Sequence, residues 1–524
     1  MLHDHAALAQ LSLARLQQVV AIDSQSDETS TSIPSTDGQR VLADFVGGLF
    51  AASGCAVERD AHANVIASLP GRGVGVDAPP IALMVHLDTA RGTGNPPSLH
   101  THPAWDGSAV SFPENPSIRV DTAHYKDLAE FVGHTIVHGD GRVPFGLDDK
   151  LGLTHLLTVA ELLAADTELP HPPVLFIGRP DEEIGRMEAV EGLAAVLAER
   201  GVRSGYTVDG ILPFEVNVQN FNGGHATATF KRVTKAWPKD FGAFRVVIGG
   251  VNTHGATAHA EGHRGAVRLG AELLAALMAA GVPAHAHSFQ SDALRDCDAV
   301  LVLGLASSDE GQLQSALDRV VGPHIARGAS YSYSALAEAP ADTDAATARI
   351  LTAVLDFAAS RTDMPLFAED SSGWQGYSHP YRARMGDDAV TLDIRIRDFD
   401  AAHLETRKTH VLGFFKLHAP DVHVVAKNQY VNMGPRLAHR RDLVDVAVAA
   451  GEAVSVAVRE MPIRGGTGVD PFLDRGVAIA NLGTGYFAPE SEKELTSLEL
   501  MVGHARWLVA LLGLLAEARG TPEA

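Results

Sequence analysis

Two cysteines in 524 residues, Cys55 and Cys297, without a Cys-x-x-Cys spacing, exclude a disulfide framework and a thiolate metal site. Positive charge is scarce too: 42 Lys and Arg against 64 Asp and Glu leave a formal charge of −22. No basic stripe is present to neutralise a phosphate backbone, so nucleic acid is excluded as a partner. Long apolar runs are also missing. The stretch from Trp507 to Leu515 falls short of the roughly 20 residues that span a bilayer, which predicts no membrane segment. The start, Met1-Leu2-His3-Asp4-His5, has neither the basic nor the apolar region of a secretory signal, and a cytoplasmic location is expected. Hydrophobic residues still make up 46% of the chain, which is too long for one core, so two or three domains are expected. Most of the 25 histidines stand in polar contexts and are expected to be solvated rather than ligating.

What the chain does contain is four apolar runs that stop at acidic or imidazole residues. Ile81 to Val85 leads to His86 and Asp88, and Phe145 to Leu147 leads to Asp148, Asp149 and Lys150. Val174 to Ile177 leads to Asp181, Glu182 and Glu183, and Tyr206 to Val208 leads to Asp209. A short apolar run that ends abruptly in charge is the pattern of a buried strand leaving a sheet. Ligands of open α/β sheets bind beyond the carboxyl ends of such strands. Four ends converging on one crevice gather one imidazole and several carboxylates, a hard N/O donor set that suits Zn²⁺, Mn²⁺ or Co²⁺. With so many carboxylates, two ions bridged by a shared carboxylate are expected. Asp149 and Lys150 have a second reading, as a mutual ion pair or as a cap on the following helix.

Helical spacing of Leu11, Leu13, Leu16 and Val19, and again of Val41, Phe45 and Leu49, predicts two helices around a Ser/Thr-rich loop from Ser24 to Thr36. Strands are expected at 57–58, 65–69 and 81–85, and a helix from Leu151 to Ala165. Residues 91–121, rich in Gly, Pro, Ser and His, read as a long loop beside the site. From Asn217 to Gln429 strand-like and helical segments alternate: strands at 244–248, 299–305, 330–337, 390–396 and 422–426, helices at 265–277, 312–321, 345–358 and 402–417. The expected fold is therefore a discontinuous α/β catalytic domain, residues 1–216 and 430–524, with a mixed sheet flanked by helices. An α+β lid, residues 217–429, is inserted in it, and a helix from Leu498 to Ala518 closes the chain.

In these clusters the chain resembles the tripeptide aminopeptidase (peptidase T) branch of the dinuclear zinc metallopeptidases, a family that also contains carboxypeptidase G, dipeptidases and aminoacylases. The resemblance spans nearly the whole sequence. Besides the four clusters it rests on Ile33-Pro34-Ser35-Thr36 before Gly38-Gln39, Gly133-His134-Thr135-Ile136, Asn220-Phe221-Asn222 and His254-Gly255-Ala256-Thr257-Ala258. It continues through Ile396-Arg397-Asp398-Phe399-Asp400, Arg464-Gly465-Gly466-Thr467 and Ser497-Leu498-Glu499. It implies His86, Asp148, Glu183 and Asp209 as metal ligands, Asp148 bridging, with Asp88 fixing the tautomer of His86. It also implies Glu182 as the general base, His254 as the lid histidine that stabilises the oxyanion, in relatives often across a dimer, and Arg397 as the lid arginine for a peptide carboxylate. Arg395, two residues earlier, is the alternative for that last role.

Two departures stand out. Where the family carries a last histidine ligand before the closing Ser-Leu-Glu, counting back places Glu490, with Glu492 and Glu494 as alternatives. The lid is also longer than one βαββαβ unit requires, and in some dipeptidase relatives a duplicated lid imitates the second subunit. The resemblance thus implies metal-dependent exopeptidase action on small peptides with two divalent ions, Zn²⁺ first and Mn²⁺ or Co²⁺ as alternatives. The protein would be a homodimer or a pseudo-dimeric monomer. The rival readings are an N-acyl amino-acid amidohydrolase and a catalytically silent relative.

Overall fold

The computed structural model describes residues 4–249, 254–262, 264–291 and 298–517. Cys297 and Ala518, named above, lie outside the described residues. Strands Ile81–His86, Val174–Arg179 and Ala478–Gly483 are buried at every position. Such continuous burial, without alternation, belongs to strands covered on both faces. They form the middle of an eight-stranded mixed sheet in the order Ala56–Arg59, Val65–Leu69, Val174–Arg179, Ile81–His86, Ser204–Gly210, Ala478–Gly483, Glu215–Asn217, Arg459–Glu460. The four central strands run parallel, so their carboxyl ends emerge together, with His86 directly opposite Arg179. A discontinuous α/β domain results, because the strand Ala478–Gly483 returns to the sheet after the insertion.

Helix Leu147–Ala165 is buried along most of its length and packs between His5–Val20 and the closing helix Leu498–Glu517. That last helix is, among the described residues, the one long and apolar enough to cross a membrane, which corrects the expectation that no such segment exists. Its apolarity serves the core: Leu500, Met501, Trp507, Leu508, Leu511 and Leu512 are buried, and Trp507 Nε1 donates to Ala447 O at 2.9 Å. A core helix covered by neighbours needs no polar face. The Gly- and Pro-rich segment 91–121 also departs from the simple loop expected. Trp105, Phe112 and Val120 build a small core with Tyr125, Phe131 and Phe487. His100–His102, Ile136–His138 and Leu495–Ser497 form a three-stranded sheet. Most described histidines are exposed or half-buried, as expected, but His138, His155, His171, His379 and His504 are buried, and His155 stacks on His504 at 4.9 Å.

The insertion contains two four-stranded antiparallel sheets of the same topology. One unit runs Gly242–Gly249, helix Ala266–Ala279, His285–Ser291, Ala299–Leu305, helix Glu310–Val320, Ser330–Ala335, with its third strand between second and first. The other runs Asn222–Lys231, helix Ala345–Ala359, Tyr377–Met385, Ala389–Asp398, helix Ala401–His418, His423–Tyr430, and its strands are ordered in the same way. Each is a βαββαβ unit, and the first is spliced between the first strand and first helix of the second. The chains entering and leaving the insertion are knitted by asparagines: Asn432 N donates to Asn222 Oδ1 at 2.9 Å and Met433 N to Asn220 Oδ1 at 2.6 Å. This is the structural work of the Asn220-Phe221-Asn222 motif.

Candidate metal centre

His86 closes its strand with a side chain 1% exposed. Nδ1 faces the backbone carbonyl of Asp88 at 2.9 Å, which makes Nδ1 the protonated nitrogen. Nε2 is then the nitrogen that could take a cation, 2.9 Å from Asp148 Oδ1 and 3.4 Å from Asp209 Oδ1. The Asp88 carboxylate, expected to orient the imidazole, stands 3.5 Å from Nδ1. Its oxygens also accept from the backbone N–H groups of Glu182 and Glu183, at 2.9 and 3.1 Å. Asp88 thus ties the first strand end to the third. Asp148 stands at the start of the Leu147–Ala165 helix in non-helical backbone, and its Oδ2 accepts from the Tyr486 hydroxyl at 3.0 Å. Asp149 accepts from the His86 backbone N–H at 3.1 Å, and Lys150 Nζ donates to Ile22 O at 2.6 Å, so the pair do not bond each other.

Asp181 turns the chain out of the third strand in a left-handed conformation, φ 56°, that costs free energy for a residue with a Cβ. A buried network holds it there. Its carboxylate accepts from Ser35 N at 2.9 Å, Ser35 Oγ and Gln39 Nε2 at 2.7 Å, and its own N–H donates to Gln39 Oε1 at 3.0 Å. The Ser35 and Gln39 motif thus places the two glutamates that follow. Burial first, then the Asp209 charge, push the Glu182 carboxyl up to about 7, with Arg179 opposing. Glu183 is raised well above the usual carboxylate range by burial and by its neighbours Glu490 and Asp148. Arg179, 1% exposed, lies 3.6 Å from Asp209 Oδ2 and 3.9 Å from Glu182 Oε1, and donates to Thr467 O at 2.9 Å. The glycine at 468, φ 56°, leaves the slot that the guanidinium fills, since a Cβ there would come within 2.2 Å of it.

Ligand atoms of His86, Asp148 and Glu183 lie within 4.8 Å of one another, as do those of His86, Glu182 and Asp209, and those of Asp148, Asp149 and Asp209. The Oε1 atom of Glu183 is buried with no hydrogen-bond partner in the protein. Buried anions and an orphaned carboxylate oxygen are costly without a cation, so the constellation fits divalent metal. Glu490 belongs to none of these groups among the described residues. Its backbone has φ 55°, and its Oε1 lies 3.7 Å from His254 Nε2. Glu494 is spoken for: its carboxylate accepts from the backbone N–H groups of Phe145, Gly146 and Glu490, each at 2.9 Å. Arg397, 8% exposed, is held by Gly224 O and Gln429 Oε1 and lies over the Tyr430 ring at 5.0 Å. Reading the sequence missed Tyr486 and Arg179. Tyr486 is 338 residues from its partner, and Arg179 ends an apolar run in which only its charge was a signal.

Over 506 residues the chain is 26% identical to a peptidase T from Exiguobacterium sibiricum, a match covering 95% of this chain and 97% of that one. Its fold is similar to a crystallised tripeptidase from Staphylococcus aureus subsp. aureus mu50, with TM-score 0.55 and 15% identity over 97% of this chain and 99% of that one. It is also similar to the aminopeptidase PepT from Bacillus cereus ATCC 10987, with TM-score 0.53 and 16% identity over 97% and 99%. No family model matches the chain.

Proposed function

We infer that the chain is a peptidase T-like dinuclear metallopeptidase, which its likeness to the peptidase T relatives supports, and that it removes a residue from small peptides by metal-dependent hydrolysis. One observation carries the reading: His86, Glu182, Glu183 and Asp209, at the carboxyl ends of parallel strands, converge with Asp148, at the start of the helix Leu147–Ala165, with groups of their donor atoms within 4.8 Å. His86 and Asp209 would hold one ion and Glu183 the other, with Asp148 between them. When bound, the ions supply Lewis-acid polarisation of the scissile carbonyl and of the attacking water. Glu182 takes the proton of that water and returns it to the leaving amine. Asp88 keeps the Glu182 and Glu183 backbone in place. His254 donates to the oxygen that gains charge in the tetrahedral state, and Arg397 takes a peptide carboxylate. Zn²⁺ is the proposed metal, two ions per chain, and a cytoplasmic location is proposed.

A panel of tripeptides, dipeptides and N-acetyl amino acids, assayed with Zn²⁺, Mn²⁺ and Co²⁺, tests this. Release of an N-terminal amino acid from tripeptides is expected. Turnover of N-acetyl amino acids alone would make the protein an amidohydrolase, and a purified protein without metal or turnover would be a silent relative.

Glu490 is proposed as the remaining ligand, since its charge reaches the Glu183 carboxyl. A carboxylate in place of a neutral imidazole adds negative charge, which weakens the Lewis acidity of that ion and favours Mn²⁺ or Co²⁺ at least as much as Zn²⁺. Metal analysis of Glu490→Gln is expected to show loss of one ion, while Glu492→Gln keeps both. Two ions and full activity in Glu490→Gln would remove it from the site.

A further inference from the structure

The sheet of the second lid unit carries cations in successive rungs that lead away from the metal centre. In the first rung Arg397 stands opposite Tyr377 and Gly223, and Gly223 opposite Tyr430. The Tyr430 hydroxyl lies within electrostatic reach of Glu182 on one side and of Arg397 and Arg395 on the other. The turn Gly466 to Gly468 joins the two, since a Cβ at Gly466 would meet the Tyr430 ring at 3.3 Å and one at Gly468 would meet Glu182 Oε1 at 3.0 Å, so the rung borders the catalytic carboxylate. Two residues along three of the strands, and three along the last because its register shifts between Asn428 and Tyr430, comes the row His379, Arg395, His225, Lys427. Side chains alternate between faces, and the opposite face, with Ala226, Ala228, Ile394 and Ile396, is packed in the lid core.

This second row is electropositive in a protein of charge −22. The nearby Asp393 is fully buried; Arg382 Nε lies 3.1 Å and Arg384 Nη2 2.7 Å from its Oδ2, and His225 Nε2 lies 3.5 Å from its Oδ1, so the charge of the row beyond His225 rests on Arg395 and Lys427. Arg395 lies over the Tyr381 ring at 4.4 Å, and Lys427 is exposed. The His225 imidazole is held below its usual range by burial, with Asp393 opposing and the charges of Arg382, Lys427 and Arg395 adding to the lowering. Adjacent same-face positions are roughly 7 Å apart along a strand. An acidic side chain on the residue whose terminal carboxylate meets Arg397 spans that distance.

We propose that Arg395, His225 and Lys427 form an anion subsite beyond Arg397, and that peptides with an acidic residue on the carboxyl side of the scissile bond are the preferred substrates. The proposal rests on the peptidase reading above.

The test compares Ala-Ala-Glu with Ala-Ala-Gln, nearly equal in shape and differing in one charge, on the metal-loaded protein. A kcat/KM ratio of roughly ten in favour of the Glu peptide is expected, carried by KM and shrinking as salt is raised. In Lys427→Met and Arg395→Met the ratio falls toward one, with the Gln peptide as internal reference in each variant. The affinities of the two peptides for Glu182→Gln protein, measured by calorimetry, carry the same ratio without turnover. Equal cleavage and equal affinity of the two peptides, or a ratio unchanged in both variants, overturns the subsite. If neither peptide is cut, the peptidase reading fails, and the affinity ratio still decides whether the anion subsite exists.

Discussion

Glu182→Gln is expected to lower kcat by roughly 10² to 10⁴-fold, the usual worth of general acid–base catalysis, while the protein retains its metal. The amide keeps the shape of the side chain and cannot accept the water's proton. Its backbone N–H is still held by Asp88 at 2.9 Å, so the loop should not move. The same group predicts a pH dependence. A base works ionised, and burial with the Asp209 charge pushes Glu182 up to about 7, so kcat/KM should fall as pH drops through that region. Bound cations would draw the limb to lower pH, and lower metal loading should shift it back up. Near-normal turnover by Glu182→Gln, with metal confirmed, would take the base role from this residue.

His254→Ala should cost roughly 10² to 10³-fold in kcat, as loss of an oxyanion donor does, and mixing it with Glu182→Gln should restore nothing. The structure places His254 Nε2 3.7 Å from Glu490 Oε1 of the same chain. The duplicated βαββαβ unit supplies the support for that approach. Lys493 Nζ, on the turn that carries Glu490, lies 3.5 Å from Glu261 Oε2 and donates to Arg327 O at 3.1 Å, both on the first lid unit. Arg119 N donates to Ala326 O at 3.2 Å from the other side of the cleft. A single chain therefore brings its own lid onto its own metal centre, and light scattering should give the mass of one chain, 55.3 kDa. Activity regained on mixing the two inactive variants would show that the histidine crosses between subunits.

His86, Asp148, Glu182, Glu183 and Asp209 were legible because each follows an apolar run. For His86, Glu182, Glu183 and Asp209 the run is a buried strand and the charge marks the mouth of the sheet, whereas the run before Asp148, expected as a strand, leads into the helix Leu147–Ala165. Three lid strands were not legible. Asn222–Lys231 begins with paired glycines, His285–Ser291 is mostly polar, and Tyr377–Met385 contains Pro380. Tyr377–Met385 lies at the edge of its sheet, with a register shift at that proline, which is where a strand tolerates one. Without those strands the insertion read as oversized, which raised a duplicated lid as an expectation, but that both copies share one pairing order was not legible, since topology is a matter of pairing order.

The sequence by itself determined the chemistry of the donor set, the discontinuous α/β plan and the order of the motifs, because these follow from local residue type and periodicity. Only the tertiary structure decided which partner each donor meets: Asp88 reaching the Glu182 and Glu183 backbone, Tyr486 on Asp148, Arg179 between Asp209 and Glu182, His254 beside Glu490. These pairs are far apart in the chain or lie on different elements, and their meeting depends on packing, which no local pattern encodes.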